Sequence, residues 1–173
     1  MLQAPTGSGF GLRVVDTHKP HDLEQVLSVY RACEDFLALG PQPHASIEMV
    51  RTDLETARQV GSTFYAITLP SGEMAGILDF LPSGYTNNPR QAYLALIMIA
   101  LHHRRAGLGR DLLRLMELNL HRRAIHTFAA HVQINNPASL AFFQSAGFVI
   151  CSTPQLQPDG TTSVELRKKL LPG

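Results

Sequence analysis

The segment AYLALIMIAL over residues 92–101, running straight into HHRRAGLGR over residues 102–110, decides how this chain is read. Its first half is apolar on both faces, which is the pattern of a central strand covered by helices on either side. Its second half breaks that pattern with basic residues and two glycines. It then enters a helix whose Leu112, Leu113, Leu115, Met116 and Leu120 form one apolar stripe. A strand feeding a glycine-containing loop and then a helix is a device for holding phosphate. Backbone N–H groups at the helix start point outward, and the helix dipole favours negative charge. At Gly107 and Gly109 a side chain would keep a pyrophosphate from closing on the backbone, while Arg104, Arg105 and Arg110 surround the loop with cationic donors.

Outward from this axis the elements alternate. Upstream, Ser62–Leu69 and Glu73–Leu81 read as a hairpin turning at Pro70-Ser71-Gly72. A strand at Gly11–Asp16 precedes a helix from about His21 to Gly40-Pro41, and Ser46 caps a second helix through Arg58. Downstream come a strand at Thr127–Gln133, a short helix at Pro137–Ser145 ended by Gly147, and strands at Phe148–Ser152 and Ser163–Leu170. This order predicts one α/β (α+β) domain over residues 1–173. Its central sheet is mixed and mostly antiparallel, with six to seven strands flanked by about four helices.

Composition narrows the function. The chain has 173 residues with 45% hydrophobic and 17% charged residues, and 15 Lys+Arg against 14 Asp+Glu leave a net charge of +1. That balance argues against disorder and against a basic nucleic-acid-binding face. No apolar run approaches the ~20 residues of a membrane-spanning helix, and the first ten residues lack the basic and apolar regions of a secretory signal. Cys33 and Cys151 lie far apart with no CxxC spacing, which suits a reducing compartment. The expectation is a soluble cytoplasmic protein without nucleic-acid or membrane partners. Eight histidines invite a metal reading. Adjacent His102 and His103, however, would point to opposite faces of a strand, and the others lack tight ligand spacing, so no metal is expected. Arg122-Arg123 closes the long helix, where positive charge suits the dipole.

The loop and a second segment together carry a family resemblance. Arg104-Arg105-Ala106-Gly107-Leu108-Gly109 fits the Q/R-x-x-G-x-G/A pyrophosphate loop of the GNAT superfamily of acyl-coenzyme A-dependent N-acyltransferases. Asn136-Pro137-Ala138-Ser139-Leu140-Ala141-Phe142-Phe143-Gln144-Ser145-Ala146-Gly147-Phe148 fits that family's N-x-x-A/S-x-x-x-Y/F-x-x-x-G-F. The resemblance is clear over Ala92–Ile150. It implies an N-acetyltransferase that uses acetyl-CoA as co-substrate, needs no metal, and acts on a small-molecule or peptide amine. Main-chain groups of Ile99 and Leu101 would meet the pantetheine and acetyl carbonyl, residues 104–110 would hold the pyrophosphate, and Asn136, Ser139 and Phe143 would line the coenzyme arm. Many members pair, so a homodimer is a further expectation.

Two departures from the family pattern matter. Phe143 stands where many members carry a tyrosine that protonates the departing thiolate, and a phenyl ring donates no proton; either another group, with Ser139 and Tyr93 as candidates, takes that role or the thiolate leaves without a dedicated donor. The central strand also lacks the family's acidic base, which leaves Asp79 on the neighbouring strand as the nearest carboxylate. The loop Tyr85–Arg90 and the first two helices are expected to wall the acceptor pocket. The runner-up reading is a non-catalytic acyl-CoA-binding sensor or partner module.

Overall fold

A computed structural model describes residues 2, 4 and 9–170. The expected hairpin forms from β2 (Thr63–Thr68) and β3 (Met74–Leu81), which pair antiparallel; β1 (Gly11–Val14) joins β2 and β4 (Gln91–Ile99) joins β3. Beyond β4, strand β5 (Thr127–Gln133) is parallel and β8 (Thr162–Lys169) antiparallel to it, with two-residue strands β6 (Val149–Ile150) and β7 (Gln155–Leu156) both on β8. The sheet order is β1-β2-β3-β4-β5-β8-β6. The single α/β domain with a mixed sheet is as expected from the sequence. The extra strand is β7, too short to show a period.

Side chains alternate between two cores, as strand geometry requires. On one face α4 (Leu108–Arg122) and α5 (Pro137–Ser145) cover Leu78, Phe80, Ala92, Leu94 and Phe128. On the other, α1 (Pro20–Arg31) and α3 (Ile47–Val60) cover Phe64, Ala66, Ile77 and Met98. Ser46 caps α3 as expected, its hydroxyl accepting the Met49 amide at 3.1 Å. The helix expected to run from His21 to Gly40 is instead broken after α1, and a short α2 (Glu34–Leu37) makes a fifth helix. The cause is tertiary. Cys33 leaves helical geometry, so that its buried thiol donates to the Ile99 carbonyl at 3.4 Å, and the Ala32 carbonyl accepts the Leu101 amide at 3.3 Å. Among the described residues no helix is long and apolar enough to cross a membrane.

Gly76 shows how tightly β3 and β4 are joined. A Cβ there would lie 2.4 Å from the Met98 carbonyl oxygen and 3.3 Å from the Ile99 Cα, both backbone atoms that cannot move without opening the sheet. Gly76→Ala is therefore expected to lower stability by about 3 kcal/mol, at the upper end of overpacking costs. Urea denaturation checks this, with Gly61→Ala as a comparison site whose positive φ is strained but whose surroundings are open.

Candidate active site

Strand β4 has a bulge, because Leu96 pairs with Asp79 and Leu94 with Phe80, which leaves Ala95 as an extra residue. On its other side β4 pairs with β5 only from Gln91↔Thr127 to Leu94↔Ala130. Past that point β4 continues along β3 to Ile99, and β5 continues along β8 to Gln133. The two strands therefore diverge and open a wedge in the middle of the sheet. The Ala100 amide donates to Ala75 of the β3 side at 2.9 Å. By strand alternation the amides of Ile99 and Ile97 face the opposite way, into the wedge. The Ile99 carbonyl is occupied, since it also accepts Arg104 Nε at 2.7 Å.

At the wedge's end the chain passes through a 3₁₀ turn at Leu101–His103 into the glycine loop. Arg105 (φ +64) and Gly107 (φ +87) both adopt left-handed geometry, and Gly107 starts α4 with no side-chain cap. The first intrahelical bond is Asp111 N–H to the Gly107 carbonyl, which leaves the amides of Leu108, Gly109 and Arg110 without helical partners. Gly109 is needed for packing as well as for approach. A Cβ there would lie 3.2–3.3 Å from the Phe142 ring and the Ile99 side chain.

The second face of the sheet beside the wedge is polar. Tyr85, in a 3₁₀ turn before β4, stacks on Tyr93 with ring centroids 4.2 Å apart, and its hydroxyl is hydrogen-bonded to His131 Nε2 at 3.1 Å. His131 is the first β5 residue past the last β4 pairing, and its ring lies edge-on to Tyr93 at 5.7 Å. Its register partner on β8 is Glu165, which is held by a two-pronged ion pair to Arg167 at 2.9 Å on each prong. Burial pushes the His131 imidazole below its ordinary 6.5, against the pull of Glu165. The ring is neutral near pH 7.

Residues 25–148 match the sequence profile of the acetyltransferase (GNAT) family. The chain belongs to that family of enzymes. An acetyltransferase from Thermus thermophilus is similar at 26% identity, with 92% of this chain and 97% of that one covered and a TM-score of 0.75. The ribosomal-protein-S18-alanine N-acetyltransferase of Escherichia coli (18% identity, 93% and 94% covered, TM-score 0.65) shares the fold. So does spermidine N-acetyltransferase of Vibrio cholerae, solved with CoA and spermine (15% identity, 95% and 97% covered, TM-score 0.70). No curated protein matches this acetyltransferase in sequence.

Within this GNAT acetyltransferase the sequence-expected residues fall into distinct groups. Ile99, Ala106, Gly107, Leu108, Gly109 and Arg110 gather at the wedge's end. Arg104 does not project freely there, because it forks onto Asp35 of α2 with one bond at 2.9 Å, holds the Ile99 carbonyl, and keeps the Asp35 carboxyl below its usual range. Leu101 is exposed, and its amide and carbonyl are both bonded within the protein, to Ala32 and Arg104. Asn136 is buried and caps α5, its Oδ1 accepting the Ser139 amide at 3.0 Å. Phe143 lies in the core, edge-on to Phe142 and Phe148, and it is Phe142 that reaches the glycine loop. His102 and His103, read from sequence as opposite-facing strand residues, sit in a 3₁₀ turn and both reach Glu73.

Sequence reasoning does not single out His131, Gln133, Ser163 and Glu165 as site residues. The period-two spacing of His131 and Gln133 in an otherwise apolar strand is the available signal. Gln133 Oε1 and Ser163 Oγ, opposite each other on β5 and β8, are buried without a partner among the described residues. A surface cavity of about 560 Å³ between α3 and the start of β2 lies at the other edge of the sheet and takes no part in this arrangement.

Asp79 is on β3 beneath α1 and α3, with Oδ1 unpartnered. Burial pushes its carboxyl up to about 6 from 3.8, with a smaller push from Asp53, while Ser62 and the Phe80 amide oppose the shift. A carboxyl raised on folding binds more protons in the native than in the unfolded chain between those two values. The stability that this one group contributes is therefore fully present below pH 4 and is lost as pH rises through 6. Asp79→Asn removes the buried charge. It is expected to exceed the wild type in stability by on the order of 2–3 kcal/mol at pH 8 and to match it at pH 4, as measured by denaturant titration at both pH values.

Proposed function

We propose that this enzyme transfers the acetyl group of acetyl-CoA to a primary amine by direct attack in a ternary complex. The observation that carries the reading is the wedge. Among the described residues it is a place where a thioester arm can lie between two strands as an extra edge partner, with backbone amides facing it and at its end a glycine loop suited to phosphate. The amides of residues 108–110 and the side chains of Arg105 and Arg110 would hold the pyrophosphate; Arg104 would act by bracing Ile99 and α2. Asn136 and Ser139 at the start of α5, with Phe143 behind them, would border the pantetheine arm.

In the reaction the amine nitrogen attacks the thioester carbonyl carbon. Negative charge develops on the carbonyl oxygen, which the Ile99 and Ile97 amides stabilise as fixed donors. The carbon–sulfur bond then breaks and coenzyme A leaves as thiolate, with a thiol pKa of about 8.5. Neither Phe143 nor any carboxylic acid on β4 assists. Two groups near the sheet can take the amine's proton, namely Asp79, expected from the sequence, and His131. We place the proton on His131. It stands at the mouth of the wedge, is neutral near pH 7 and is oriented by the Tyr85 hydroxyl, whereas Asp79 lies under α1 and α3. Most of the rate would come from holding acetyl-CoA and the amine together. The unpartnered oxygens of Gln133 and Ser163, with Glu165, suit an acceptor that brings hydrogen-bond donors, such as a polyamine or a peptide N-terminus.

The experiment is an acetyl-CoA-dependent thiol-release assay over an amine panel that includes spermidine and peptides with N-terminal alanine. Turnover with at least one amine is expected. Tight acetyl-CoA binding by calorimetry with no turnover across the panel would favour the binding-module reading, for which the absence of a proton donor at Phe143 is the supporting observation. With an accepted amine, His131→Asn should lower kcat by about 10²-fold and leave acetyl-CoA affinity unchanged. The wild-type acid limb of kcat/KM, lying below pH 6.5 because only neutral imidazole accepts a proton, should vanish in the variant. If Asp79→Asn removes that limb instead, Asp79 is the base.

A separate prediction concerns the loop. Gly107→Ala places a methyl group where the phosphate would approach, in space open within the protein apart from Asp111 Oδ2 at 4.0 Å. Acetyl-CoA affinity should fall at least tenfold, or ~1.4 kcal/mol, in a protein with unchanged circular dichroism. Gly109 is the poorer probe because its substitution also disturbs Phe142.

A further inference from the structure

Glu73 leaves the β2–β3 turn on the same side as the 3₁₀ turn that carries His102 and His103. His103 Nε2 lies 2.9 Å and His102 Nε2 3.1 Å from the same Glu73 Oε1, and the two imidazoles are 4.0 Å apart at their centroids. One ligand atom from each of the three residues falls within 4.8 Å of the other two. A tetrahedral ion with bonds of about 2.0–2.1 Å separates its ligand atoms by roughly 3.3 Å, so only small side-chain rotations would be needed to surround one. His102 and Glu73 are exposed while His103 is mostly covered, so a fourth position would open to water.

We propose that Glu73, His102 and His103 form a surface site for a divalent first-row transition ion, Zn²⁺ foremost, with three protein ligands and solvent. Two imidazoles and one carboxylate select against Mg²⁺ and Ca²⁺, which require oxygen ligands, and the absence of thiolate separates the site from closed structural zinc centres. The ligands come from two segments, the β2–β3 turn and the turn immediately before Arg104. A bound ion would staple the hairpin to the base of the glycine loop. The proposal stands apart from the acetyl-transfer reading, because it concerns binding and its test measures no activity.

The test is calorimetric titration of the tag-free full chain with ZnCl₂ in a non-chelating buffer. One equivalent should bind with Kd below about 100 µM, or ~−5.5 kcal/mol, and Zn²⁺ but not Mg²⁺ should raise Tm. Glu73→Gln, His102→Ala and His103→Ala should each weaken binding at least tenfold and abolish the Tm shift. His121→Ala, a histidine on α4 remote from the cluster, should leave both unchanged. Co²⁺ should give the visible d–d bands of a four-coordinate site in the wild type and lose them in the three variants. Weaker binding, or binding that survives His102→Ala and His103→Ala, overturns the assignment.

Discussion

The parallel ladder between β4 and β5 lasts only from Gln91↔Thr127 to Leu94↔Ala130, and the rest of the architecture is arranged around its early end. A β-ladder that stops inside a sheet exposes unpaired amides and carbonyls at its centre, a cost that native folds avoid unless something occupies the gap. Here β4 stays paired to β3 through Ile99 while β5 stays paired to β8 through Gln133, so each strand is anchored on its far side. The bulge at Ala95 begins the divergence at the point where β5 falls away, consistent with the local twist that a bulge adds. An extended arm with its own amide groups is the natural filler for such a gap, and pantetheine is one.

The end of β4 must then be held still, since its amides are useful only when preorganised. Three contacts from the N-terminal half do this. Arg104 bridges the Ile99 carbonyl to Asp35, the Cys33 thiol reaches the same carbonyl, and the Ala32 carbonyl takes the Leu101 amide. The break between α1 and α2 exists to allow them. Arg104, which in isolation reads as a phosphate ligand, is therefore a brace between α2 and the wedge, while Arg105 and Arg110 carry the loop's available charge.

Polarity is distributed unevenly over the sheet. The face under α4 and α5 is an ordinary aromatic and aliphatic core, with Phe80, Phe128, Phe143 and Phe148 in edge-to-face contact. The opposite face carries Tyr85, Tyr93, His131, Gln133, Ser163 and Glu165 beside the wedge, and Asp79 with the Tyr30–Asp53 hydrogen bond (2.6 Å) under α1 and α3. Buried oxygens without partners at Asp79, Gln133 and Ser163 are costly when empty.

Local signals in the sequence determined most of the elements. The two-sided apolar run at 92–101 marked β4, Ser46 marked a helix start, and the glycine spacing at 107 and 109 with the Asn136–Phe148 segment marked the glycine loop and the family. These are readable because caps, turns and periodicity depend on residues near one another in the chain. Tertiary structure decided the rest. It split the first helix to reach Ile99, assigned Arg104 to Asp35, put Phe142 rather than Phe143 against the loop, and turned His102 and His103 together onto Glu73. It also assembled the polar face from the turn at Tyr85 and from β4, β5 and β8. None of these is a local property. Each depends on which strands are neighbours, in what register and facing which way, and a strand's sequence states its period but not its partner.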